Sequence, residues 1–118
     1  MTLTNFPWKS ILALLLAAFF LIGAGGNIIA PPGVVADYAR WGYPSWFHYV
    51  TGLLELSAAI LLAIKSLRFW GAAIGAAAMV GAAATVLWHG ELTHSIAPLV
   101  VLTLCLVVGW VNKPGIHR

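Results

Sequence analysis

Four apolar stretches, over residues 8–29, 46–64, 69–88 and 95–111, constrain this chain more than any other feature. The last two contain no charged side chain, the first only Lys9 near its start, and the second only Glu55. Each approaches the roughly 20 residues that an α-helix needs to cross bilayer hydrocarbon, where a helix satisfies its own backbone polar groups without water. With 62% hydrophobic and 8% charged residues, against about a quarter charged in a soluble domain, the chain cannot clothe a water-facing exterior. The expected fold is all-α: an integral membrane four-helix bundle forming a single domain over residues 1–118.

In the first stretch Lys9 precedes the uninterrupted apolar run and small residues follow near Gly23 to Gly26, as in a secretory signal. Its apolar run over residues 11–29 is longer than the ~7–15 residues of a signal core, so it is read as a retained helix. Residues 30–45 make the one long loop. Pro31, Pro32 and Gly33 stop the first helix, because proline brings no backbone donor and restricts its predecessor. Tyr38, Trp41 and Tyr43 then suit a short interfacial helix, and Pro44 marks the approach to the second span. Only Lys65, Ser66, Leu67 and Arg68 separate the second and third spans, which must therefore be antiparallel neighbours.

Lys9, Lys65, Arg68, Lys113 and Arg118 fall at one end of this arrangement, and Arg40, Asp37 and Glu91 at the other. Because translocating lysine and arginine is disfavoured, both termini are expected in the cytoplasm of a multi-pass protein of the inner (plasma) membrane. The basic residues never cluster, which excludes a nucleic-acid partner and leaves the lipid bilayer as the first partner. Gly71, Gly75, Ala78, Ala82 and Thr85 put a small-residue stripe on the third span, where backbones can approach closely, and it supports a homo-oligomer.

Glu55 is the first candidate for chemistry. It lies eight positions after Phe47, about 12 Å along the helix, where an exposed charge costs on the order of 2.5–3.5 kcal/mol. It must face the bundle, protonated or paired, and serve either as a catalytic or proton-accepting group or as an interhelical hydrogen bond. His48, Gly52, Glu55 and Ala59 share one helical face. A histidine at the mouth and an acid deeper down can relay protons, or hold a ligand with Gly52 leaving room; His48 reads equally well as an interfacial histidine in contact with water.

His89, Glu91 and His94 supply ligand types adequate for zinc or iron. Their spacing matches no metal motif, so a solvated polar turn is preferred, with Ser95 capping the fourth helix and Pro98 in its first turn. Cys105 is the only cysteine, which excludes an internal disulfide and a paired-cysteine redox motif. It shares a face with His94, Pro98 and Val101 and can point into the bundle toward Glu55, or act as a small buried hydrophobe. Asn27 either caps the first helix, the favoured reading, or donates to a ligand. The six tryptophans sit near helix ends as interfacial anchors, although Trp88 beside His89 can also stack on a ring such as a quinone.

Residues 41–62, with Gly42, Tyr43 and Pro44 followed by Gly52 and Glu55, resemble the signature of DoxX-like membrane proteins. Trp70 to Ala72, Met79, the Gly81-Ala82 pair and the turn from His89 to Glu91 are similar to that family's third helix. The resemblance spans nearly the whole chain and implies a small four-span membrane component associated with quinones or redox chemistry. On that reading the chain binds a quinone or other lipophilic small molecule, Glu55 accepts a proton, and a soluble or membrane redox partner completes the system. Quinone is then the candidate cofactor, and a metal is not expected. Two other readings stand beside it: an isomerase or epoxide-opening enzyme using Glu55 as general acid or base, and a non-catalytic scaffold or transporter-like oligomer.

Overall fold

A computed structural model of the chain describes residues 7–115; Arg118, read above as an orientation signal, lies outside them. Five α-helices run α1 (Trp8–Ile29), α2 (Pro32–Arg40), α3 (Phe47–Ala63), α4 (Arg68–Trp88) and α5 (Ile96–Val111), with single 3₁₀ turns at Lys65–Leu67 and Leu92–Ser95. α1 packs along α3, α3 along α4 and α4 along α5, and a lighter α1–α5 contact closes the ring. The molecule measures 49 × 26 × 25 Å.

The boundaries follow from local chemistry. α1 ends at Ala30, whose φ of 51° is left-handed and whose N–H donates to the Gly26 carbonyl. Pro31 and Pro32 prevent continuation, and Pro32 then opens α2, where its fixed φ and missing donor cost nothing. The loop reading of residues 30–45 is thus refined: nine of them form α2, which lies across one end of the bundle with no fully buried residue. α5 starts at Ile96 rather than residue 95. Ser95 occupies the cap position, but its hydroxyl donates backward to the Leu92 carbonyl at 2.6 Å instead of capping α5.

α1, α4 with its leading turn, and α5 with its leading turn are each long and apolar enough to cross a membrane. α3 is shorter, at 17 residues, or about 26 Å of rise. The buried stripes repeat at helical spacing: Ala13, Leu16, Ala17, Phe20 and Ala24 on α1, and His48, Gly52, Glu55, Ala58, Ala59 and Leu62 on α3. Large apolar side chains cover the outside, with Ile22 76% and Trp88 87% exposed, a surface that suits lipid and not water.

The small-residue stripe on α4 is used within the bundle. A Cβ on Gly71 would meet the Leu62 backbone nitrogen at 2.7 Å, and one on Gly75 would meet the Phe20 ring at 2.7 Å. Arg68, read from the sequence as a loop cation, is buried. Its Nε donates to the Leu62 carbonyl at 2.9 Å and an Nη to Ser10 Oγ at 3.1 Å. It thereby satisfies a carbonyl that the end of α3 leaves without an intrahelical partner.

Candidate functional site

Two glycine turns build the end of the bundle that carries α2. Past Trp41 the chain turns through Gly42 at φ 84°, with Gly42 N–H donating to the Ala39 carbonyl and Tyr43 N–H to the Tyr38 carbonyl. α4 ends in the same way: Gly90 has φ 73°, its N–H donates to Leu87, and Glu91 N–H donates to Val86. Both are Schellman motifs, whose left-handed position glycine occupies without strain. One turn delivers Tyr43 to the site and the other delivers Glu91.

Tyr43 stacks on Phe47, with ring centroids 4.5 Å apart. Its hydroxyl lies 2.5 Å from Thr85 Oγ1. Thr85 already donates to the Gly81 carbonyl, so Tyr43 is the donor to Thr85. Glu91 receives Arg40 in a two-pronged contact at 3.0 and 3.2 Å, the Trp41 indole N–H at 3.0 Å, and His94 Nδ1 at 3.0 Å. Arg40 also pairs with Asp37 at 2.7 Å. Arg40 first, then His94 and Trp41, hold the Glu91 carboxyl down to about 2, and Glu91 and Asp37 push the Arg40 guanidinium further above its ordinary range. This cluster clasps α2 to the α4–α5 turn.

Beneath the clasp lies a second network, which joins three separate elements. Tyr38 on α2 donates its hydroxyl to Asn27 Oδ1 at 2.7 Å, and Asn27 Nδ2 donates to Glu55 Oε1 at 2.6 Å and to the Gly23 carbonyl at 3.2 Å. Glu55 is 5% exposed. Its carboxyl occupies a niche that exists because residue 23 is glycine: a Cβ there would overlap Glu55 Oε2. Burial, the largest cause, raises the Tyr38 phenol above its ordinary value.

Both networks border a cavity of about 500 Å³ between α1, α2, α3, α4 and the start of α5. Its walls are chiefly apolar, from Phe19, Leu54, Ala78, Met79, Val86 and Pro98, and Tyr38, Asn27, Glu55, Thr51, Thr85 and His94 add polar groups. That volume and that mixture are those of small-molecule sites.

The residues singled out in the sequence distribute unevenly around this cavity. Glu55, Asn27 and His94 line it. Asn27 is a bridge to Glu55 more than a helix cap. His48 is buried on the Glu55 face, but its Nδ1 lies 2.7 Å from the Asn27 main-chain carbonyl, an acceptor, so that nitrogen carries the proton. Gly52 gives room to α1 rather than to a ligand, since a Cβ there would meet Ile28 at 2.7 Å. Cys105 sits deeper, against Gly75 and near Phe20, and is absent from the cavity wall. Trp88 is exposed on the outside. His89 turns its Nδ1 to the Thr85 carbonyl at 2.8 Å, away from Glu91 and His94. Among the described residues, no group of three or more His, Cys, Asp or Glu side chains is arranged to hold a metal.

Tyr38, Tyr43, Thr85 and Gly23 complete the site and were not singled out as site residues. The available signal was weak: a tyrosine at a helix end needs a partner for its hydroxyl when buried.

The family model described as the DoxX-like family matches residues 11–108. No curated protein and no solved structure matches the chain.

Proposed function

The chain belongs to the DoxX-like family and is a multi-pass helical membrane protein, and from that premise we propose that it binds a quinone, or a comparably lipophilic molecule with a polar head, as a redox-associated membrane component. One observation carries this reading: an apolar cavity of about 500 Å³ has its buried acid and its amide–phenol bridge on a single wall. The aromatic and aliphatic walls suit a ring and the first part of a tail. The head would meet Glu55, Tyr38 and Thr85. Reduction of a quinone takes up two electrons and two protons; a soluble or membrane redox partner would supply the electrons, and Glu55 is the group suited to hand on a proton.

The orientation that accompanies this function places the Lys9, Lys65, Arg68 and Lys113 end in the cytoplasm and the α2 end, with the cavity, on the far side of the inner membrane.

The test is ligand retention. Protein purified in mild detergent should carry a quinone that solvent extraction and mass spectrometry identify. A short-chain quinone should quench tryptophan fluorescence saturably. Glu55→Gln and Tyr38→Phe should each weaken that binding about tenfold, the loss of roughly 1.4 kcal/mol expected for one buried hydrogen bond. Retention of no lipophilic molecule, together with titrations that neither variant alters, would overturn the proposal.

A further inference from the structure

The opposite end of the bundle carries a second, unrelated concavity. A groove of about 710 Å³ runs between the α3–α4 connection and the segment after α5, bordered by Lys65, Ser66, Phe69, Trp70, Asn112 and Lys113. Trp70 is 54% exposed along it. Lys113 Nζ stands 3.6 Å over the Trp110 ring, and among the described residues no carboxylate pairs with it.

The charge around this groove is one-sided. Asp37 and Glu91 are in the clasp at the far end, and Glu55 is inside α3; these are the three acidic side chains of the chain. Among the described residues, Lys9, Lys65, Arg68 and Lys113 thus collect at this end with no acidic partner. Arg68 adds a buried guanidinium whose recorded bonds go to two neutral oxygens. A group of cations with no counter-ion among the described residues, at the rim of apolar helices and beside exposed aromatic rings, is complementary to one ligand chemistry: a phosphate joined to an acyl chain.

We infer that this groove is a binding site for an anionic glycerophospholipid. Its phosphate lies between the Lys65 and Lys113 ammonium groups, Ser66 and Asn112 supply hydrogen-bond donors, and one acyl chain follows Phe69 and Trp70 down the outside of α4. The ligand belongs to the leaflet at this end and does not require the quinone reading.

Native mass spectrometry of the full chain, titrated in detergent with dioleoyl phosphatidylglycerol or dioleoyl phosphatidylcholine, tests this. One phosphatidylglycerol should bind on the order of tenfold or more tightly than phosphatidylcholine. Lys65→Gln with Lys113→Gln should remove that preference, each lysine contributing on the order of fivefold. Lys65→Arg with Lys113→Arg should keep it, and this guards against a folding defect. Lys9→Gln, at the same end but outside the groove, should leave it within about twofold. Equal binding of the two lipids, an equal loss in Lys9→Gln, or displacement of the lipid by millimolar inorganic phosphate would overturn the assignment.

Discussion

Replacing Gly23 with alanine adds one methyl group where α1 faces the Glu55 carboxyl. The new Cβ overlaps Oε2 and lies 3.0 Å from Cδ and 3.2 Å from Oε1. These atoms are the far end of a flexible side chain, so the carboxyl swings aside and the backbone stays in place. The loss is then the 2.6 Å hydrogen bond from Asn27. Such interhelical bonds contribute about 0.6 kcal/mol on average and up to about 1.7 kcal/mol. Alanine in place of glycine inside a helix returns about 0.8–1.0 kcal/mol. The two effects nearly cancel, so stability should change by less than about 1 kcal/mol. Ligand binding has no such compensation, because the carboxyl leaves the cavity wall, and affinity should fall at least about tenfold. Unfolding by sodium dodecyl sulfate in mixed micelles, followed by tryptophan fluorescence, gives the first quantity, and quinone titration of the same sample gives the second. Unchanged binding with unchanged stability would refute the niche. A stability loss above about 3 kcal/mol would refute the swinging carboxyl, since it would require a rigid clash.

Three further outcomes follow from the same geometry. Gly75→Ala, whose Cβ meets the fully buried Phe20 ring at 2.7 Å, should destabilise the protein by about 1–3 kcal/mol through overpacking, more than helix propensity returns, in the same detergent unfolding assay. The Glu91 carboxyl is held down to about 2 from an ordinary 4.5, so the clasp's contribution is fully present above about pH 4.5 and is lost as pH falls toward 2. Hydrogen exchange of α2, corrected for the intrinsic rate, should therefore be flat above that window and rise below it, and Glu91→Gln should abolish the dependence. For orientation, single cysteines in a Cys105→Ala background should report opposite sides: Asp37→Cys labelled by an impermeant maleimide from outside intact cells, Lys113→Cys only after permeabilisation.

The helices were legible in the sequence because the absence of charge over long runs leaves lipid as the only workable solvent. The shared face of His48, Gly52, Glu55 and Ala59 was legible for a related reason, since helical periodicity alone determines it, and all four are buried. Periodicity does not give the depth of a cavity. His94, Pro98, Val101 and Cys105 share a face of the last span, yet His94 and Pro98 line the cavity while Cys105 packs below it against Gly75. The bridge from Tyr38 through Asn27 to Glu55 was hidden because it joins residues 11 and 28 positions apart on three elements. Gly23 stands in the sequence only among the small residues that end the first stretch, and its importance depends on the rotation of α1 against α3. Arg68 is legible as a cation at this end of the bundle, but its burial is not: nothing local in a four-residue connection shows that its guanidinium folds back onto the end of α3.

The central claim is that the Glu55 carboxyl faces a ligand-sized apolar cavity inside the bundle, and labelling with a hydrophobic carbodiimide in native membranes tests it most directly. Such reagents partition into lipid and modify carboxyl groups that an apolar molecule can reach. Peptide mass spectrometry should find the adduct on Glu55 and not on Asp37 or Glu91, whose oxygens are engaged by Arg40, and excess short-chain quinone should protect Glu55. Labelling confined to Asp37 and Glu91, or labelling of Glu55 that no lipophilic competitor reduces, would contradict the account.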